Sequence, residues 1–270
     1  MQQRIGFIGL GNIGRPMAVN LLRRGYRMAV YDARPEAVVG LERLGAKIAT
    51  SVSEVAAQAD LIAIAVVDDA QLEAVMLDAG GVLEAAAPGT IVAVHSTVSP
   101  AICRILGEQC ARRGVRLVDA PVSGAESGAI AGTLTLLAGG EERDVDACRE
   151  VFYVVGYRVF HLGPIGAGQV AKICNNLMFT VNLRAAFEAL RLADAAGLDE
   201  TLFREIAAES TASSWALTNI EAMRELIDDR RQSRDAVEIG NKDLSLAAAL
   251  GESLDVDTPI AAFISALQRT

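Results

Sequence analysis

The segment Ile5-Gly6-Phe7-Ile8-Gly9-Leu10-Gly11-Asn12-Ile13-Gly14-Arg15-Pro16-Met17 decides how this chain folds. Four apolar residues of strand length run into a Gly-x-Gly-x-x-Gly turn, and a helical pattern opens behind it, which is the context a dinucleotide turn requires. Gly9 permits the tight turn, Gly11 lets the backbone approach a diphosphate, and Gly14 allows helix and strand to pack closely. The loop residues Asn12 and Ile13 carry amides at the positive end of the helix dipole, where a diphosphate would lie. Eighteen residues beyond Gly14 a second apolar run ends in Tyr31-Asp32. An acid there accepts hydrogen bonds from an adenosine ribose and repels a 2′-phosphate, so NAD is the expected cofactor. Arg34, two residues on, leaves NADP open, and the turn alone leaves FAD or another nucleotide open.

Outward from that turn, short apolar runs alternate with helical patterns. Strands are predicted at Ile5–Ile8, Met28–Tyr31, Lys47–Ile48, Leu61–Ala65, Ile91–His95, Arg116–Asp119 and Thr135–Ala138. Helices are predicted between several of them, among them Pro16–Arg24 and Pro35–Leu44. This alternation predicts an α/β domain with a mostly parallel sheet covered on both faces. After Gly163-Pro164-Ile165-Gly166 the texture becomes helical, with no further proline until Pro259. A Rossmann-type domain over 1–163 and an all-α domain over 164–270 follow from that change. The stretch Ala167 to Ala196 would be about 45 Å long as a helix, which points to burial between two domains or two subunits. Leu202–Ala208 and Trp215–Asp228 read as further helix, with Trp215 expected in a core and a substrate-pocket wall as its alternative.

Of the 270 residues, 51% are hydrophobic and 22% charged, a globular balance, and the formal charge of −9 argues against nonspecific binding to nucleic acid or anionic membrane. The four cysteines lack CxxC spacing and read as inert thiols of a reducing compartment. His95 and His161 stand apart, so no metal site is expected. The apolar runs are too short to span a bilayer, and the chain opens directly into a strand, giving a soluble, cytoplasmic protein as the expectation.

Four motifs in order are similar to those of the β-hydroxyacid dehydrogenases, the group that includes 3-hydroxyisobutyrate and tartronate-semialdehyde enzymes. They are Gly6 to Ala18, Asp119-Ala120-Pro121-Val122-Ser123-Gly124 with Gly132-Thr133-Leu134, the run Gly163 to Asn176, and Lys242-Asp243-Leu244. The resemblance covers essentially the whole chain and implies a Rossmann domain followed by an all-α domain. It implies reversible hydride transfer between a nicotinamide cofactor and a small β-hydroxyacid or its semialdehyde.

The same resemblance assigns Lys172 as the catalytic residue. Helical spacing puts Asn176 on its face, where it would hold the substrate oxygen or orient the lysine. Lysine in a mainly apolar helix is costly to bury without a reason. Ser123 and the N–H of Gly124 would grip a substrate carboxylate, with Asn175 nearby. Val66 and Val67 would pass over the adenine side, Thr97 would meet the cofactor near the nicotinamide, and Lys242 would close over it. A simple helix N-cap is the alternative for Ser96-Thr97. Two positions depart from the family pattern: Ala125 stands where a second glycine is usual, and Asp235-Ala236-Val237 occupies a stretch where an aromatic is common.

Competing readings are an imine reductase, whose relatives usually carry Asp or Tyr in place of Lys172, and a non-catalytic dinucleotide-binding module. 6-Phosphogluconate dehydrogenase is more distant, since Phe179 stands where it would have an acid. The expected partners are a small carboxylate-bearing substrate and further copies of the chain, as a homodimer or homotetramer.

Overall fold

A computed structural model describes residues 3–228 and 230–267, with side chains described outside 225–239 and 267. The chain divides into two compact units, Met1–Lys172 and Ile173–Thr270.

The first unit is built on β1 (Ile5–Ile8), α1 (Gly14–Arg23), β2 (Met28–Tyr31), β3 (Lys47–Ile48), α2 (Val52–Ala56), β4 (Leu61–Ile64), α3 (Asp69–Leu77), α4 (Val82–Ala85), β5 (Ile91–Val94), α5 (Pro100–Arg112) and β6 (Arg116–Asp119). The strands form one six-stranded sheet in the order β3-β2-β1-β4-β5-β6, every neighbouring pair parallel. Direction of winding reverses between β1 and β4, so the crevice beyond the carboxyl ends of those strands is where a ligand binds in such a sheet. The apolar runs explain the topology. In β4, Leu61 and Ala63 enter one core while Ile62 and Ile64 enter the other. A strand buried on both faces must be apolar at consecutive positions, and parallel strands covered by helices on both sides are where that occurs. Each fully buried Leu or Ile contributes about 1.5–3 kcal/mol.

Beyond β6 the chain adds β7 (Val122–Ser123), α6 (Ala125–Ala131), β8 (Leu134–Ala138), α7 (Glu142–Val155) and β9 (Gly156–His161). These strands make a separate three-stranded sheet, β7-β8-β9, with β7 antiparallel and β9 parallel to β8. The strand expected near Thr135 therefore belongs to a second sheet, and β7 and β9 were not anticipated. The helix expected over Pro35–Leu44 is instead two short 3₁₀ turns, Pro35–Val38 and Glu42–Leu44. Gly40 between them sits at φ +85°, which ends helical continuity.

The helix α8 (Ala167–Ala195) begins in the first unit and continues into the second. It is followed by α9 (Glu200–Glu209), α10 (Trp215–Thr218), α11 (Ile220–Asp228), α12 (Arg230–Ser253) and α13 (Pro259–Leu267). Ile173, Leu244, Ala247, Ala261 and Ile264 form the core of the second unit. The expected single helix over Trp215–Asp228 is broken at Asn219, whose side-chain amide donates to the Trp215 carbonyl at 2.9 Å and caps the short turn. No helix among the described residues is long and apolar enough to cross a membrane.

Candidate active site

The glycine turn is closed too tightly for any side chain at two of its three glycines. A Cβ on Gly9 would lie 2.3 Å from the Ala65 carbonyl oxygen, and one on Gly14 would lie 2.1 Å from that of Gly9. Gly11 is different: a Cβ there would meet only a guanidinium nitrogen of Arg34, at 3.9 Å, so its open side looks out of the turn. No side chain caps α1 and no acid stands in its first turn. The amides of exposed Asn12 and half-buried Ile13 thus lie at an uncapped helix start that favours an anion. A cavity of about 370 Å³ opens beside the turn, lined in part by Gly11, Asn12, Arg15, Arg34 and Glu126. This cradle fits a dinucleotide diphosphate.

Asp32 follows β2 directly and is bonded to the turn. One of its carboxylate oxygens accepts the Leu10 amide at 2.7 Å, and the other accepts the backbone amide of Arg34 at 2.8 Å and its Nε at 3.2 Å. Burial alone would raise this carboxyl, but Arg34 and the two amides outweigh it and hold the pKa below the ordinary value. The Arg34 side chain is 59% exposed against 8% for Asp32, so the cation is the solvent-facing partner.

Beyond β4, the Val66 amide donates to Ser96 Oγ at 2.8 Å, and exposed Val67 donates its amide to Gln71 Oε1 at 3.1 Å. Half-buried Thr97 follows. The residue that caps α5 is Ser99, whose hydroxyl accepts the Ile102 amide at 3.2 Å, so Ser96 and Thr97 are not a helix cap.

Ser123 is half-buried at the end of β7 and pairs with Thr135. Gly124, at φ +136°, precedes α6, and the next residue, Ala125, holds φ +55°. The departure from the family's second glycine is thus a left-handed position occupied by alanine.

Lys172 is half-buried and stands on α8 four residues before Asn176. The start of this helix is held by two residues to which sequence reasoning gave no role. The carboxylate of Asp119, fully buried at the end of β6, accepts the Gly166 amide at 2.7 Å and the Gln169 amide at 2.9 Å. Burial raises the Asp119 pKa, with the backbone amides pulling against it. A Cβ on Gly168 would lie 2.1 Å from the Leu137 carbonyl oxygen, so the helix approaches β8 at a distance only glycine allows. The available signal for Asp119 was an acid ending an apolar strand, which needs donors if buried.

In the second unit, exposed Asn175 donates its side-chain amide to Asn176 Oδ1 at 3.1 Å. Asn176 donates in turn to Asp243 Oδ2 at 2.6 Å, and Lys242 Nζ lies 3.0 Å from Asp243 Oδ1. Asp243, 5% exposed, brings Asn176 and Lys242 into one polar network and was overlooked beside Lys242 in its motif. Trp215 is 51% exposed and packs edge-on to Phe179, contrary to the core position expected. Among the described residues no three His, Cys, Asp or Glu gather as metal ligands do.

Residues 4–163 match the family described as the NAD binding domain of 6-phosphogluconate dehydrogenase, and residues 166–270 that described as the NAD-binding domain of NADP-dependent 3-hydroxyisobutyrate dehydrogenase. The chain is 37% identical to an NAD-dependent L-serine dehydrogenase of Pseudomonas aeruginosa, over 99% of this chain and 91% of that protein. It is 36% identical to a 3-hydroxyisobutyrate dehydrogenase of the same organism, over 96% and 88%. A solved Mycobacterium tuberculosis 3-hydroxyisobutyrate dehydrogenase with L-serine superposes with a TM-score of 0.85 at 29% identity, covering 100% of this chain and 93% of that one.

Proposed function

The chain belongs to the β-hydroxyacid dehydrogenase family and is an NAD(P)-dependent oxidoreductase, and within that activity we propose that Lys172 moves the proton while Ser123 and Gly124 hold the substrate carboxylate. A bound nicotinamide supplies the hydride acceptor. In oxidation, the neutral Lys172 amine takes the proton of the substrate hydroxyl as the carbon-bound hydride leaves; in reduction, the ammonium returns it to the nascent alkoxide. Asn176, oriented through Asp243, holds the substrate oxygen or Lys172 itself, with Asn175 beside it. The Ser123 hydroxyl and Gly124 amide donate to the carboxylate.

Gly9, Gly11, Asn12, Ile13 and Gly14 carry the diphosphate, and Asp32 the adenosine ribose. Arg34 admits a 2′-phosphate, and Val66, Val67, Thr97 and Lys242 complete the cofactor's surroundings. Residues 1–163 form the dinucleotide-binding domain, which also lends Ser123 and Gly124 to the substrate; 164–270 form the helical domain of substrate binding and self-association, which also lends Lys242 to the cofactor.

The observation that carries this reading is the clamped start of α8, where buried Asp119 accepts the amides of Gly166 and of Gln169, the latter three residues before Lys172. L-serine and 3-hydroxyisobutyrate, named for relatives at 37% and 36% identity, point to a short β-hydroxyacid as the substrate class. Replacing Lys172 by alanine is expected to cut turnover by roughly a thousandfold or more while NADH binding survives, as loss of a proton carrier alone requires. Turnover near wild type would sink it. Exposed Leu192, Leu198, Leu202 and Ile206 in the second unit support a homodimer or homotetramer, which sedimentation tests.

A further inference from the structure

Gln169 is wholly buried on the first turn of α8, three residues before Lys172. Its side chain spans to the segment that follows β5. Its Oε1 accepts the Val98 amide at 3.0 Å, and its Nε2 donates to the Ser96 carbonyl at 2.9 Å. Both backbone groups flank Thr97. The same segment is fixed from other sides, since Ser96 Oγ accepts the Val66 amide at 2.8 Å and the Ser99 amide donates to Asp69 Oδ1 at 2.9 Å. The backbone amide of Gln169 donates to Asp119, which also receives Gly166.

A carboxamide suits this place because it accepts and donates at once while carrying no charge into a buried site. An apolar residue of the same length would leave one buried amide and one buried carbonyl without partners. Removing one partner of a buried pair costs more than the pair is worth net, so such a bridge is costly to replace.

We propose that Gln169 is a positioning residue: its amide holds the Ser96–Val98 segment, and Thr97 within it, in register with Lys172 on the same helix. This rests on the reading of Lys172 and Thr97 given above. The nicotinamide end of the cofactor and the proton carrier are then set against each other through one side chain.

The test compares NADH with ADP-ribose, which keeps the adenosine and diphosphate but lacks nicotinamide, on the wild-type protein and on Gln169→Met. ADP-ribose should bind within about twofold of wild type, because the turn and Asp32 are untouched, while NADH weakens roughly fivefold or more. With a short β-hydroxyacid, kcat should fall about tenfold or more with KM within about threefold, the split expected when alignment and not binding is lost. Equal weakening of both nucleotides, or wild-type NADH binding and kcat, would overturn the proposal.

Gln169→Glu carries the test independently should the methionine variant not fold. When protonated, the introduced carboxyl can donate to Ser96 and still accept from Val98, so NADH affinity and kcat relative to wild type should recover as pH is lowered. A variant-to-wild-type ratio that does not change with pH would count against the bridge. Lys172→Ala run alongside separates the two ideas: surviving turnover there would sink the proton carrier, and the NADH and ADP-ribose comparison would still decide the role of Gln169.

Discussion

The Asp119 carboxylate accepts the backbone amide of Gln169 at 2.9 Å, fifty positions along the chain, and thereby ties the end of β6 to the first turn of α8. Its other oxygen takes the Gly166 amide. The start of the helix that carries Lys172 is consequently held in part by a buried acid outside the helix.

Replacing Asp119 by asparagine keeps the shape but turns one acceptor into a donor facing an amide. We expect a loss of about 2–3 kcal/mol in urea unfolding, the cost of an unsatisfied buried group, together with lower turnover. An unchanged unfolding midpoint would show that the clamp contributes nothing.

Ala125 at φ +55° occupies a conformation that costs an alanine about 1–2 kcal/mol. Ala125→Gly removes that strain but returns about 0.4–1 kcal/mol through the greater freedom of the unfolded chain. The net expectation lies between no change and a stabilisation of about 1.6 kcal/mol, or a Tm rise of up to about 6 °C. Ala125→Val should lower Tm, since a β-branched residue suits the left-handed region worse. Thermal unfolding of the three proteins checks the order.

Burial pushes the His95 imidazole down to about 4 from its ordinary 6.5, although its ring nitrogen bonds the Ala120 carbonyl at 2.8 Å. The unfolded chain therefore binds a proton between those values that the folded chain refuses. This contribution is fully present above pH 6.5 and is lost as pH falls toward about 4. It amounts to about 3 kcal/mol at about 1.4 kcal/mol per unit. Urea midpoints measured from pH 7.5 downward should fall less steeply in His95→Gln than in the wild-type protein; parallel curves would refute this.

On the proposed reading Asp32 faces the adenosine ribose and would repel a 2′-phosphate; it pairs with Arg34. Asp32→Ser should raise the Kd for NADH about tenfold and shift preference toward NADPH by more, since a ribose partner and a like charge are removed together. Fluorescence titration with both nucleotides decides it, and an unchanged ratio of the two Kd values would contradict the assignment.

Much of the fold was legible because its signals are local. Glycines spaced for a turn, consecutive apolar residues for a strand buried on both faces, and an acid ending β2 each act within a few positions, as does the i, i+4 spacing of Lys172 and Asn176. Where local signals were diluted the reading failed: Gly40 interrupted an otherwise helical pattern, Asn219 capped a turn inside another, and β9 follows α7 without a turn to mark it. Tertiary structure alone decided the rest. Asp119 meets Gln169 across 50 positions, Gln169 meets Val98 across 71, and Asn176 meets Asp243 across 67. No periodicity encodes such pairs. A buried polar group announces only that it needs a partner, and which partner it finds is set by the packing of apolar surfaces elsewhere.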